Sequence, residues 1–186
     1  FSESYALSLL ATGKKQDVSW QGQTGNVDFF YLKSIALNVL ALCGINASDL
    51  VVKETENSAL SFGLSYYSGT KLLAEIGSVK SSVLKKFDLN DVYSCNFNWD
   101  LLIKKAKKKP VQYQEVSKFP SVKRDLSMMV DVATSFSKIE EIAFKSERKL
   151  LKEVSLFDLY QGDKIEAGKK SMAVSFLLLD DQQTLT

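Results

Sequence analysis

Both prolines in the chain, Pro110 and Pro120, fall within one basic stretch, residues 104–124. Proline has no backbone N–H and turns the residue before it away from helix, so regular elements do not run through such a stretch. The break separates two patterns, residues 1–108 and 109–186, and 186 residues suffice for two small domains.

The first pattern opens with alternation over residues 5–11, a strand closing at Gly13, followed by a polar loop, residues 14–25, around Trp20. Asp28 is placed to cap a helix over residues 29–43. Phe29, Leu32, Ile35, Ala36, Val39, Leu40 and Cys43 recur at helical spacing, and Gly44 stops it. Short strands follow at 50–54, 59–66 and 71–77. A brief helix near 79–87, a strand at 92–97 and a helix near 99–107 complete the half. Helices mixed with a mostly antiparallel sheet predict an α+β class.

After Pro120 an apolar strand core, residues 126–130, is entered through 122–125. Ser137-Lys-Ile-Glu140 fits a capping box, and Ile139, Ile142, Ala143 and Leu150 mark the helical face behind it. Residues 154–160 alternate as a strand, with Val154, Leu156, Asp158 and Tyr160 on one face and Ser155, Phe157 and Leu159 on the other. A loop, 161–168, leads to an apolar strand, 172–179. Strand, helix, strand, strand is the front of a ferredoxin-like βαββαβ unit. Residues 184–186 read as the entrance to a further helix, so the unit is expected to stop short after its third strand.

Composition removes several chemistries. Histidine is absent, which excludes Ser-His-Asp and Cys-His nucleophile pairs, histidine zinc sites and a histidine general base. Paired carboxylates need no histidine, but no pattern marks such a pair. The two cysteines, Cys43 and Cys95, sit among apolar neighbours and read as reduced core thiols. No apolar run reaches membrane-spanning length and no signal peptide is visible, so a cytoplasmic location is expected. Charge is uneven. Residues 1–103 carry 8 basic and 10 acidic side chains, residues 104–186 carry 16 and 12. Within 104–124, eight basic residues stand against Glu115 alone, as a phosphate-rich partner would require or as a solvated lysine run would show.

Four segments carry a resemblance: Lys118-Phe-Pro-Ser-Val-Lys-Arg-Asp-Leu126, Leu156-Phe-Asp-Leu-Tyr-Gln-Gly162, Gly168-Lys-Lys-Ser171 and Thr184-Leu-Thr186. In this order and spacing they resemble the ferredoxin-fold anticodon-binding domain that ends the bacterial phenylalanyl-tRNA synthetase beta chain. Val27-Asp-Phe-Phe-Tyr-Leu-Lys33, Ile76-Gly77 and Val83-Leu-Lys-Lys-Phe-Asp-Leu89 resemble the same family upstream. Tyr31 stands where an acidic residue is usual, and Tyr66-Tyr-Ser-Gly69 replaces a His-Pro-Gly-type turn. The resemblance implies that residues 1–108 are the C-terminal part of a catalytic-like domain, a class II synthetase core without an active site. Residues 109–186 would be the anticodon-binding domain. It further implies phenylalanine tRNA and the synthetase alpha subunit as partners in an (αβ)₂ heterotetramer, and a ligase whose ATP and magnesium are used by the alpha chain. No cofactor is expected in this chain.

An RNA loop offers phosphates and unstacked bases. Arg124, Lys169 and Lys170 are the candidates for phosphates, and Asp158, Tyr160 and Ser171 for base edges or sugars. Each has a plainer role to weigh: Arg124 pairing with Asp125, Tyr160 in the core with its hydroxyl at the rim, Asp158 shaping a strand end. Phe119 and Phe157 read as packing residues, Trp20 and Trp99 as core or subunit-interface residues. A protein-interaction fragment with an incidental basic patch is the competing reading. A free-standing enzyme lacks support, with no glycine-rich phosphate loop and no metal-ligand cluster.

Overall fold

The structure is a computed structural model describing residues 1–17, 20, 25–106, 113, 115–162 and 165–185. The chain forms two compact units, Phe1–Gln112 and Tyr113–Thr186. The basic stretch falls partly outside this description: Lys107, Lys108, Lys109 and Pro110 lie beyond the described residues, as do the centre of the Trp20 loop, two positions of the 161–168 loop and Thr186.

In the first unit, β1 (Ala6–Ala11) precedes α1 (Phe29–Leu42), β2 (Val51–Glu54), β3 (Leu60–Ser68), β4 (Lys71–Val79), α2 (Ser81–Leu84), β5 (Tyr93–Asn98) and α3 (Trp99–Ala106). The strands form one antiparallel sheet in the order β1-β5-β4-β3-β2. Helix α1 starts as its sequence dictates. Asp28 is extended, and its carboxylate accepts from the Tyr31 N–H at 2.7 Å. Lys15 Nζ lies 2.9 Å from the same carboxylate. That hydrogen bond, followed by the Tyr31 N–H, holds the Asp28 carboxyl below its ordinary range. At the other end Gly44 adopts φ +73°, and the Ile45 N–H reaches back to the Leu40 carbonyl at 3.0 Å. Leu32, Ala36 and Leu40 bury one side of the helix in a core with Tyr66, Leu73, Ile76, Cys95, Phe97 and Leu102. Burial pushes the Cys95 thiol up to about 12, while Cys43 borders the core. Trp99 also packs against that core, whereas Trp20 is 92% exposed and is not part of it.

The face of this sheet away from the core has a polar row across its middle. Ser8, Asn96, Glu75, Ser65 and Lys53 are neighbours on successive strands. Ser8 Oγ donates to Asn96 Oδ1 at 2.7 Å. Glu75 accepts from the Thr55 hydroxyl, from Asn57 Nδ2 at 2.6 Å and from Ser65 Oγ at 3.4 Å. Its carboxylate thus ties the β2–β3 connection to β4. Two register pairs along, on the same face, Gly63 faces Gly77.

The second unit runs β6 (Val122–Asp131), α4 (Phe136–Ser146), β7 (Leu151–Tyr160) and β8 (Lys169–Leu178), with sheet order β6-β8-β7, all antiparallel. Phe136, Ile139, Ala143 and Phe144 of α4 pack on Leu151, Val154, Met172 and Val174. Two sequence expectations are corrected here. The cap of α4 is Ser135, whose side chain accepts from the Lys138 N–H, and Ser137 lies inside the helix. The position three residues after the cap is therefore lysine, which cannot reach back as a glutamate would. Ile142 is 56% exposed and Leu150 follows the helix, so Phe136 and Phe144 take the places expected of them.

The second correction concerns β7. Leu156 faces Val174 and Asp158 faces Ala173, which leaves Phe157 as one residue too many. Such a bulge shifts the two-residue alternation by one. Leu159, opposite Met172, takes the α4 side. Asp158 and Tyr160, opposite Ala173 and Ser171, turn to the other face, away from Val154 and Leu156.

Candidate nucleic-acid interface

Alternation along β6 and β8 extends the same face. It carries Lys123, Asp125, Ser127, Met129 and Asp131 of β6 beside Leu177, Ser175, Ala173, Ser171 and Lys169 of β8. With Phe157, Asp158 and Tyr160 it forms the side of the sheet opposite α4. Its exposed ring and thioether surfaces are Phe157 (57%), Tyr160 (42%) and Met129 (64%). Tyr160 and Ser171 are direct cross-strand partners. Ser171 Oγ lies 3.4 Å from Ser127 Oγ. Gly162 explains how Tyr160 lies: a Cβ there would sit 2.5 Å from the Tyr160 hydroxyl and 2.7 Å from Cζ, so the bare glycine makes room for the ring.

The expected site residues divide between the two faces. Asp158, Tyr160, Ser171 and Lys169 share the open face. Arg124 and Lys170 pair with Phe176 and Val130 and lie on the α4 side. Lys170 is only 9% exposed. Lys169 is ion-paired with Glu166 at 2.7 Å. Phe157, expected in packing, is instead on the open face, with Lys123 Nζ 6.0 Å from its ring centroid. Sequence reasoning also passed over Ser127, Met129 and Ser175, although the alternation of β6 carries the first two.

The open face is not a uniform cation. Lys123 and Lys169 sit among Asp125, Asp131 and Asp158. It offers rings, hydroxyls and carboxylates at the centre, which suits base edges and base planes better than a run of phosphates. In the first unit Glu75 has hydrogen bonds on both carboxylate oxygens. Among the described residues no group of three or more acidic or thiol side chains is placed to hold a metal ion, and no helix is long and apolar enough to cross a membrane.

Two family descriptions match the chain. "Phenylalanyl tRNA synthetase beta chain CLM domain" covers residues 1–99, and "Ferredoxin-fold anticodon binding domain" covers residues 117–186. Phenylalanine–tRNA ligase beta subunits resemble it along its length: 46% identity for that of Bacteroides thetaiotaomicron and 34% for that of Porphyromonas gingivalis, each over 100% of this chain. That of Bacillus subtilis is 32% identical over 99% of it. The chain spans 23% of the length of each of these relatives.

Proposed function

The chain belongs to the phenylalanyl-tRNA synthetase beta-chain family, and from that premise we propose that it binds the anticodon stem-loop of phenylalanine tRNA through the open face of β6, β8 and β7. One observation carries the reading: the bulge at Phe157 brings Asp158 and Tyr160 onto the same face as Ser171 and Ser127. Tyr160 offers a plane for an unstacked base, an interaction worth about 1–3 kcal/mol. Asp158 accepts from base N–H groups, and Ser171 donates to or accepts from a base edge or ribose hydroxyl. Lys169 exchanges Glu166 for a phosphate. Arg124, exposed on the α4 side of β6, reaches phosphates there, and Lys170, packed on that side, supports the sheet.

On this reading the chain is a non-catalytic part of a cytoplasmic ligase. The chemistry, with ATP and magnesium, belongs to the alpha chain of an (αβ)₂ heterotetramer. Among the described residues no acidic or thiol side chains are grouped to hold a metal, and no step is assigned to this chain. Assembly with alpha draws on the first unit, where Phe30, Phe62 and Leu42 are exposed at 73%, 53% and 87%.

The test is a titration of the chain with phenylalanine tRNA and with an anticodon-swapped tRNA, at about 50 and 200 mM salt. Tighter, salt-sensitive binding of the cognate tRNA is expected. Equal binding of both leaves a nonspecific basic surface. Absence of binding shifts the role to subunit assembly.

A further inference from the structure

Ser175 occupies the middle of β8, between Asp125 of β6 and Ser155 of β7. It is only 3% exposed, and its Oγ has no hydrogen-bond partner among the described residues. A buried hydroxyl without a partner is costly, and an alanine would remove the cost. Its position is unusual in another way. Ser175 is on the open face, yet it is more buried than most of the residues around it.

The cover has a visible source. Lys123 lies two residues from Asp125 along β6, and Phe157 two residues from Ser155 along β7, both on the open face. These strands flank β8, about 10 Å apart at the usual strand spacing. Their side chains nevertheless meet, with Lys123 Nζ 6.0 Å from the Phe157 centroid. Lys123 stands opposite Leu177 and Phe157 beside Val174 and Ala173, one on each side of Ser175, so their contact crosses β8 on a diagonal that passes Ser175. Phe157 is available for this only because it is the extra residue of the bulge, which points it to the same side as Asp158.

We propose that Lys123 and Phe157 form a displaceable strap over Ser175, and that RNA seating on this face parts it. A base then stacks on the Phe157 ring, Lys123 Nζ moves to a phosphate, and Ser175 Oγ hydrogen-bonds the nucleotide beneath. The proposal rests on the anticodon-binding reading of this face. An exposed cation–π pair is among the weaker contacts a side chain makes, and each partner gains a stronger one with RNA. The strap keeps a hydrogen-bonding group under cover in the free protein and releases it only to a ligand that satisfies all three residues.

The experiment compares the full chain with Ser175→Ala and Lys123→Met, using an RNA hairpin that carries the phenylalanine anticodon. Ser175→Ala is expected to melt at the same or a higher temperature and to bind the hairpin about tenfold more weakly, the effect of one lost hydrogen bond. Lys123→Met is expected to bind with a shallower salt dependence. If the wild-type chain binds and Ser175→Ala binds equally well, the strap is overturned while the anticodon reading stands. A Ser175→Ala variant that loses stability and affinity together makes the hydroxyl structural and also overturns the proposal. An unchanged salt slope in Lys123→Met overturns the lysine's transfer to phosphate. Failure of the wild-type chain to bind overturns both readings at once.

Discussion

Alanine at Gly77 would place a methyl carbon 2.4 Å from the Phe62 carbonyl oxygen, 2.8 Å from Leu60 Cδ1 and 3.1 Å from Gly63 Cα. A carbon rests about 3.3–3.6 Å from such an oxygen, so the shortfall is about 1 Å. The obstacle is backbone, and no rotamer change relieves it. The strands must part, and hydrogen bonds near 2.9 Å do not survive a stretch of that size. One or two ladder bonds at about 1 kcal/mol each, added to a comparable penalty for crowding Leu60 Cδ1 and the Gly63 backbone, give a destabilisation of about 3 kcal/mol. In a unit of this size that lowers the melting temperature by roughly 12 °C. Gly63→Ala meets the Ile76 carbonyl oxygen at 2.3 Å and is expected to cost as much. Since the two glycines face each other in register, the second methyl enters strands already separated. The double variant should then cost less than the sum. Urea unfolding followed by the fluorescence of Trp99, which packs on this core, measures each value. A Gly77→Ala variant within about 0.5 kcal/mol of wild type would refute the close-approach argument.

Three further outcomes follow from residues already described. Tyr66 is 2% exposed, its hydroxyl has no hydrogen-bond partner among the described residues, and burial raises its pKa to about 12. Tyr66→Phe should therefore be neutral or more stable by about 1 kcal/mol in the same urea assay, and a clear loss would reveal a partner for the hydroxyl. The depressed pKa of Asp28 means its contribution is present above its ordinary value of 3.8 and is lost as pH falls through the lowered folded value. Asp28→Asn keeps a cap acceptor without the charge, and it should flatten the acid limb of a stability-against-pH profile; an unchanged limb counts against the Lys15 pairing. Gly162→Ala pushes the Tyr160 ring aside, so hairpin affinity should fall several-fold with little change in melting temperature, whereas equal affinity would remove Tyr160 from the interface.

The helical part of the fold was readable because its signals are local. Asp28, the apolar spacing behind it and Gly44 each act within a few residues, and α1 begins at the capped position. The strands were readable for the same reason, to within a few residues at their ends. What failed was counting across an irregularity. Nothing in Leu156-Phe-Asp-Leu-Tyr160 announces a bulge, because the extra residue is defined by its partner strand and not by its own neighbours. Period two then put Asp158 and Tyr160 on the side of Val154 and Leu156, and Phe157 was read as packing although the alternation placed it with Ser155. The capping serine was misplaced for a related reason: Ser135 and Ser137 both suit a helix start, and the packing of Phe136 in the core decides between them. Lys169 and Lys170 are equivalent as sequence. Only the register against Asp131 and Val130 sends one to the open face and the other beneath.

The bulge in β7 behaves like a frameshift in the strand's two-letter code. Before it, the residues that matter to folding fall on one beat, and after it the residues that face outward fall on that beat instead. One strand is thereby divided into two separately addressable segments. Substitutions at 157, 158 and 160 change the surface without disturbing Val154 and Leu156, and substitutions in the core leave the surface alone. Removing Phe157 would make Leu156 and Asp158 consecutive partners of Val174 and Ala173, so Asp158 and Tyr160 would keep the open face and only the ring would be lost from it. The segment should thus tolerate many replacements, and the chemistry displayed on the open face can diversify without renegotiating the core.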